Sequence, residues 1–249
     1  MIATLNQLQR RLNLDAGVDE ERLTVALWAA ATQIERLAGR HFEPRIKTLV
    51  HPVVCPTEIL LRDDLLEVHT IVDNNGVVIT DTTLIPQGDS AASVLQKDEG
   101  FSGELLNITG IWGWHDAWST AWRDSQDTVQ SASISPYALN IIIEDVLAPD
   151  ILGETPRFMV GHLIRVDDEF MRVLAVDTAN AILRVQRGVN GSTAVSHDED
   201  TPIYTYQPPA DIAALVVRWA AWLYREPDQR TPTGIPSALM KELAIVRRM

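Results

Sequence analysis

Residues 19–44, DEERLTVALWAAATQIERLAGRHFEP, decide the reading of this chain. Leu23, Leu27, Ala30, Ile34 and Leu37 recur at steps of four and three, which places them on one face of a helix. Asp19, Glu20 and Glu21 crowd its start, where the helix dipole favours negative charge. Gly39 supplies a left-handed stop, and Pro44 holds the exit extended. A shorter run, Leu5, Leu8 and Leu12 with Leu14, precedes it across Asp15-Ala16-Gly17. The pattern predicts two helices joined by a short loop, handing over to extended chain.

Beyond Pro44 the apolar period changes from 3.6 to 2. Strands are expected at 46–54, 58–62 and 66–73. Asn74-Asn75-Gly76 is a tight-turn signal, with 77–80 as the returning strand of a hairpin. Segments 83–85, 93–96 and 104–114 complete a first antiparallel sheet. A second β-rich block runs from about 118 to 206, with strands at 137–146, 163–167, 170–177, 181–187 and 202–206. Turn signals at 167–169, 178–180 and 189–191 make the middle three a meander. Helical periodicity returns after Pro208-Pro209, with Asp211 in the first turn and Ile212, Leu215, Val216, Trp219, Trp222 and Leu223 on a broad apolar face. Glu226-Pro227 closes that helix, and a Pro- and Thr-rich linker, 231–236, leads to a terminal helix.

The expected fold class is α+β. N- and C-terminal helices form a helical base, beside an antiparallel sheet and an inserted small β-domain. The sequence partitions into a helix pair plus sheet (1–116), the inserted β-rich domain (117–207), and C-terminal helices that complete the core and dock (208–249).

A chain of 249 residues with 46% apolar side chains can bury one sizeable core or two modest ones. Its longest apolar stretch, 212–224, is broken by Arg218 and is too short to span a bilayer. The start, MIATLNQLQRR, does not read as a signal peptide. Cys55 is the single cysteine, so no internal disulfide or thiolate zinc cluster is expected. It is read as a small buried apolar side chain in a reducing cytoplasm. The formal net charge of −13 argues against a grip on DNA phosphates, although an acidic wall lets DNA slide without sticking. Between Glu58 and Glu104, ten carboxylates face only Arg62 and Lys97. The last helix runs the other way, with Lys241, Arg247 and Arg248 against Glu242. That basic end reads either as a partner-docking tail or as cations favoured at a helix C-terminus.

The search for catalytic chemistry is largely negative. There is no phosphate loop, dinucleotide-type glycine fingerprint, His-Glu-x-x-His or Gly-x-Ser-x-Gly. His41, His51, His69, His115, His162 and His197 stand apart. His197-Asp198-Glu199-Asp200 is the best candidate metal cluster, yet it lacks EF-hand spacing and reads as a solvated acidic turn. Asp167-Asp168-Glu169 offers adjacent carboxylates at a hairpin tip, whereas paired catalytic carboxylates come from separate segments. Trp112, Trp114, Trp118 and Trp122 fall within GIWGWHDAWSTAW. The first two would share a strand face and the last two a helical turn. Such aromatics serve packing between the β blocks, a protein interface, or stacking on a sugar or a base. Trp219 and Trp222 are further candidates for subunit or domain packing.

The short leading helix, acidic start, Ile34-Glu35-x-x-x-Gly39-Arg40-x-Phe42-x-Pro44 and following strands together resemble the head–tail connector (adaptor) proteins of tailed bacteriophages. The strand segments 60–68 and 108–114 and the closing helix 209–225 are similar to that family as well. Gln186-Arg187-Gly188-Val189-Asn190-Gly191-Ser192-Thr193-Ala194 resembles an Arg-Gly-x-Asn-Gly-(Ser/Thr) signature of small β-domains in phage structural proteins. The block from 118 to 206 departs from the small connectors. The resemblance implies a non-enzymatic, cofactor-free virion subunit at the head–tail junction, assembled in the host cytoplasm. It implies a homo-oligomeric ring, commonly dodecameric, under a portal protein, extending the DNA channel and receiving a tail or stopper protein. Lys241, Arg247 and Arg248 would dock on the portal rim, and no membrane is involved. The rival reading is a carbohydrate-binding module or glycan-active tail or baseplate protein built on the tryptophans and an acidic pair.

Overall fold

The computed structural model describes residues 1–15, 17–225 and 234–247. The fold is α+β, with four helices and antiparallel sheets among these residues. Two compact units result: residues 1–39 with 121–249, and residues 40–120.

The first unit holds all four helices. Helix α1 (Leu5–Leu12) starts on a capping box, Thr4 accepting from the Gln7 amide while the Gln7 side chain accepts from the Thr4 amide. Helix α2 (Glu20–Ala38) stops at Gly39, whose φ of 67° is the left-handed cap its sequence predicts. Leu23, Leu27, Ala30 and Ile34 are fully buried, with Ala26, Ala31 and Ala38 beside them. Leu37 is 38% exposed, contrary to the expected stripe. At 100° per residue Leu37 and Ala38 flank the centre of that stripe by about 50° on opposite sides, and at this end of the helix the buried flank is the one that carries Ala38. Helices α3 (Ala210–Arg225) and α4 (Ser237–Val246) come from the other end of the chain and pack with α1 and α2. Trp219 donates from Nε1 to the Gln33 side chain at 2.8 Å, and the Tyr224 hydroxyl donates to Asp19 at 2.7 Å. The helix stop at Glu226-Pro227, linker residues 231–233 and Arg248 lie outside the described residues.

The same unit contains a six-stranded antiparallel sheet ordered β6-β13-β9-β10-β11-β8. Its strands are β6 (Trp122–Thr128), β8 (Asn140–Ile142), β9 (Leu163–Val166), β10 (Glu169–Asp177), β11 (Ile182–Gln186) and β13 (Pro202–Tyr206), while β7 (Ser133–Ile134) pairs with β12 (His197–Asp198). Beyond the two outer strands the chain bridges across: the Gln130 amide donates to the Ile142 carbonyl at 2.9 Å, and the Glu144 amide donates to the Asp127 carboxylate at 2.9 Å. Inside lie Val129, Ile141, Ile143, Phe158, Ile164, Val166, Met171, Leu183 and Ile203. Strand β6 is not among the expected strands, because Trp122-Arg123-Asp124-Ser125-Gln126-Asp127-Thr128 is mostly polar and shows no apolar alternation. The expected strand 137–146 shrinks to the three residues of β8.

The 40–120 unit is a five-stranded sheet ordered β1-β5-β2-β4-β3. It comprises β1 (Arg45–Pro52), β2 (Glu58–Asp73), β3 (Thr83–Ile85), β4 (Ala92–Gln96) and β5 (Leu105–Trp112). The expected strands 58–62 and 66–73 are one long strand, bent by irregularities between Leu60 and Leu65 and between Leu65 and Thr70. At the second of these, β2 swings against β5 so closely that a Cβ on Gly110 would collide with the Glu67 carbonyl. The Asn74-Asn75-Gly76 turn forms, with Asp73 accepting from the Asn75 and Val77 amides at 2.8 and 2.9 Å. Those bonds, Val77 first, hold the Asp73 carboxyl below its usual range. The returning segment makes only an isolated bridge, Val72 with Val78, instead of the expected strand 77–80. Cys55 is exposed in the β1–β2 loop, not buried as its small size suggests. Its thiol lies 3.8 Å from the Thr57 hydroxyl, and Thr57 lowers its pKa.

Candidate assembly interface

The helical layer of the first unit has an apolar inner face and an incompletely covered outer one. On α2, Val25 is 63% and Trp28 43% exposed. Ala29 shares their face, opposite the buried stripe, and the exposed Thr32 continues it one turn further on. Trp28 has the Arg172 guanidinium over its ring at 5.4 Å, and burial lowers Arg172 to about 10. Val25, Ala26 and Ala29 line an open groove of about 480 Å³ with Leu223 and Tyr224 of α3. Glu21 and Arg22 edge it; Arg22 is held by Asp19 at 3.1 Å and sits over Tyr224. Val25, Trp28 and Ala29 were legible in the sequence as a second, shorter apolar run, masked by the stronger buried one.

On α4, Leu239, Leu243 and Val246 point inward, and Ile245 is 84% exposed with Met240 and Lys241 on the outer side. Glu242 pairs with Arg218 of α3. Arg247 follows the helix and is exposed. Lys241 and Arg247 therefore both reach solvent. Trp219 is fully buried against Trp222 edge-on, with ring centroids 6.4 Å apart.

The four central tryptophans do not make one platform. Trp112 is fully buried at the end of β5, donates from Nε1 to the Lys47 carbonyl at 3.0 Å, and stacks on His51 at 5.8 Å. Gly113, at φ 152°, breaks the strand before Trp114, which meets Phe42 edge-on and lies under Arg40. Trp118 sits in a single 3₁₀ turn whose amide donates to the Asp89 carbonyl. Trp122 starts β6 in the other unit, between Phe170, Tyr206 and Arg165. The expected helical turn shared by Trp118 and Trp122 is absent, because the chain turns to strand at Trp122.

The Arg-Gly-x-Asn-Gly-Ser segment has a definite structural purpose. Glu169, expected to be part of a charged hairpin tip, is fully buried. Arg187 grips both its oxygens at 2.7 Å, and the Gly188 and Val195 amides donate to it at 2.9 and 3.0 Å. His197 lies against it at 3.0 Å and against Asp167 at 2.7 Å on its other nitrogen. Burial alone would raise the Glu169 pKa, but Arg187 and the other donors hold it below the usual range. Gly188, at φ 58°, lets the chain turn while its amide points at the carboxylate. Ser192 then ties the loop to the Phe170 amide at 2.9 Å. A second internal pair, Arg157 with Asp127 at 3.0 Å, ties the segment between β8 and β9 to β6. Nothing in the residue types of a turn announces that one carboxylate points inward, so this cluster carries no local sequence signal.

A polar cleft of about 370 Å³ lies between the N-terminal segment and the six-stranded sheet. Arg123 pairs there with Asp150 at 2.8 Å and Glu154 at 2.6 Å. His162 accepts from the Met159 amide, and burial, helped by Arg123, pushes it down to about 4. Among the described residues no three His, Cys, Asp or Glu side chains are placed to hold one metal ion, and Asp198, Glu199 and Asp200 face solvent. No helix of the described residues is long and apolar enough to cross a membrane.

No protein-family model and no curated protein matches the chain. Among solved structures, it is similar to a chain of the neck of an empty GTA particle computed with C6 symmetry. The two are 13% identical with a TM-score of 0.48, over 100% of this chain and 90% of that one.

Proposed function

We propose that this chain is a non-catalytic ring subunit of a tailed-phage head–tail connector. The observation that carries the reading is the uncovered outer face of the helical layer, where Val25, Trp28, Met240 and Ile245 are all at least 41% exposed. Large apolar side chains grouped on helices in this way mark surfaces that another protein covers. The sequence resemblance supplies the kind of assembly: a ring under a portal, with the acidic 40–120 segment repelling DNA in the channel and a tail or stopper protein below. The basic C-terminal end, Arg247 with Arg248, docks on the portal. Lys241 lies further back on α4.

The test is mass photometry of the purified chain, alone and mixed with its portal protein, followed by electron cryomicroscopy of the complex. A closed ring of identical subunits is expected. A compact monomer under both conditions would overturn the proposal.

A further inference from the structure

Helix α3 separates two apolar features of opposite rim charge. Its C-terminal residues Leu223 and Tyr224 wall the groove whose floor is Ala26 and Ala29, with Glu21 at the edge. Its N-terminal residues Ile212 and Leu215 lie beside Ile245 of α4. Ile212 and Leu223 are eleven residues apart, about 16 Å along a helix. Ile245 therefore cannot reach the groove of its own chain. Lys241 stands one helical turn before Ile245 on the same face.

We propose that Ile245 of one copy fills the α2–α3 groove of the next copy, with Lys241 against Glu21. This rests on the ring reading and names its subunit contact. Two unlike surfaces on one protomer produce a head-to-tail contact, and such a contact generates a ring when its rotation closes. A two-fold pairing is disfavoured by charge. Groove on groove brings together two acidic α2 starts, Asp19 to Glu21, and α4 on α4 brings together two copies of the side that carries Lys241. Of the other nearby charges, Arg22 is paired with Asp19 and Glu242 with Arg218, and Asp211 at the start of α3 accepts from the Ile212 amide. The small floor of Ala26 and Ala29 suits the branched side chain that α4 leaves 84% exposed.

The experiment uses full-length chain carrying Cys55→Ser, since Cys55 is itself exposed. Val25→Cys and Ile245→Cys proteins are mixed and treated with a short bis-maleimide. Heterodimers joined between the two positions are expected, and a protein carrying both substitutions should give a ladder of linked subunits. Both sites are surface positions, and circular dichroism confirms that each variant folds. Glu21→Lys and Lys241→Glu should each weaken assembly by about fivefold, and the double exchange should recover most of it. A ring that forms without the cross-link overturns this contact and leaves the ring reading standing. Val25–Val25 linkage alone overturns it in favour of a two-fold dimer. A chain that never assembles overturns both readings.

Discussion

In the 40–120 unit one fully buried polar group is an indole N–H: Trp112 stacked on His51, with one hydrogen bond to the Lys47 carbonyl. In the unit that carries the helices one fully buried polar group is a carboxylate, Glu169, held by an arginine, a histidine and two backbone amides. The first arrangement is mostly apolar surface removed from water, which tolerates small shifts because it has no direction. The second is directional, and every donor must be in place for the charge to stay buried. The two sheets should therefore fail differently. The five-stranded one should lose stability in proportion to lost volume, and the six-stranded one when a single partner is removed.

The largest effect follows from this. Glu169→Gln keeps the shape but leaves the Arg187 guanidinium buried without its counter-charge, which costs about 3–5 kcal/mol. Urea unfolding should show that loss, and hydrogen exchange should accelerate first at the Gly188 and Val195 amides. A loss below about 1 kcal/mol would mean the cluster is no more than a satisfied turn. Trp112→Phe comes next, at about 2 kcal/mol from the lost hydrogen bond and the unfilled edge of the pocket. Its effect should spread over β1, β5 and β2 instead of concentrating at two amides, and a loss confined to one strand would break the contrast.

Acid sharpens the comparison further. His162 titrates near 4 in the fold against about 6.5 unfolded, so the unfolded chain binds the proton first as pH falls. Its contribution is complete above about 6.5 and disappears down to about 4, a loss of at most about 3 kcal/mol. Glu169, depressed below its ordinary value, adds a second loss only as the pH drops beneath about 4.3. Melting temperature against pH should show both limbs, and His162→Gln should abolish the upper one. An unchanged upper limb would assign it to another group.

The same contrast explains what could be read from the residues. The α2 stripe, the Gly39 stop, the Asp73-to-Gly76 turn and strands β3, β10, β11 and β13 follow from period and turn chemistry, which are local. Strand β6 was invisible because its pairing with β13 does not depend on apolar alternation. Leu37 was misplaced because a helix face has a width that period alone does not give. The burial of Glu169 depends on Arg187 and His197, 18 and 28 residues away, so no local pattern announces it. Likewise, Met1, Ile2 and Ala3 are buried, with the terminal amine donating to the Gly161 carbonyl at 3.1 Å. That contact spans 160 positions of sequence and cannot be guessed from either end.

The smallest expected effect tests the five-stranded sheet where volume scarcely matters. Thr48 and Thr109 face each other across β1 and β5 with hydroxyls 2.7 Å apart, on the exposed side. Cross-strand threonine pairs are worth a few tenths of a kcal/mol, because water replaces the lost bond when either hydroxyl is removed. Thr48→Ala should therefore cost about 0.5 kcal/mol, and Thr48→Ala with Thr109→Ala scarcely more, since the second hydroxyl then has no protein partner to lose. Ser192→Ala is the matched probe in the other unit. Its hydroxyl accepts from the Phe170 amide at a partly buried site, so that amide is stranded and the cost rises to about 1 kcal/mol or more. Equal costs at the two sites would show that hydrogen bonds in both sheets are equally replaceable by water, and that direction is not what distinguishes the six-stranded one.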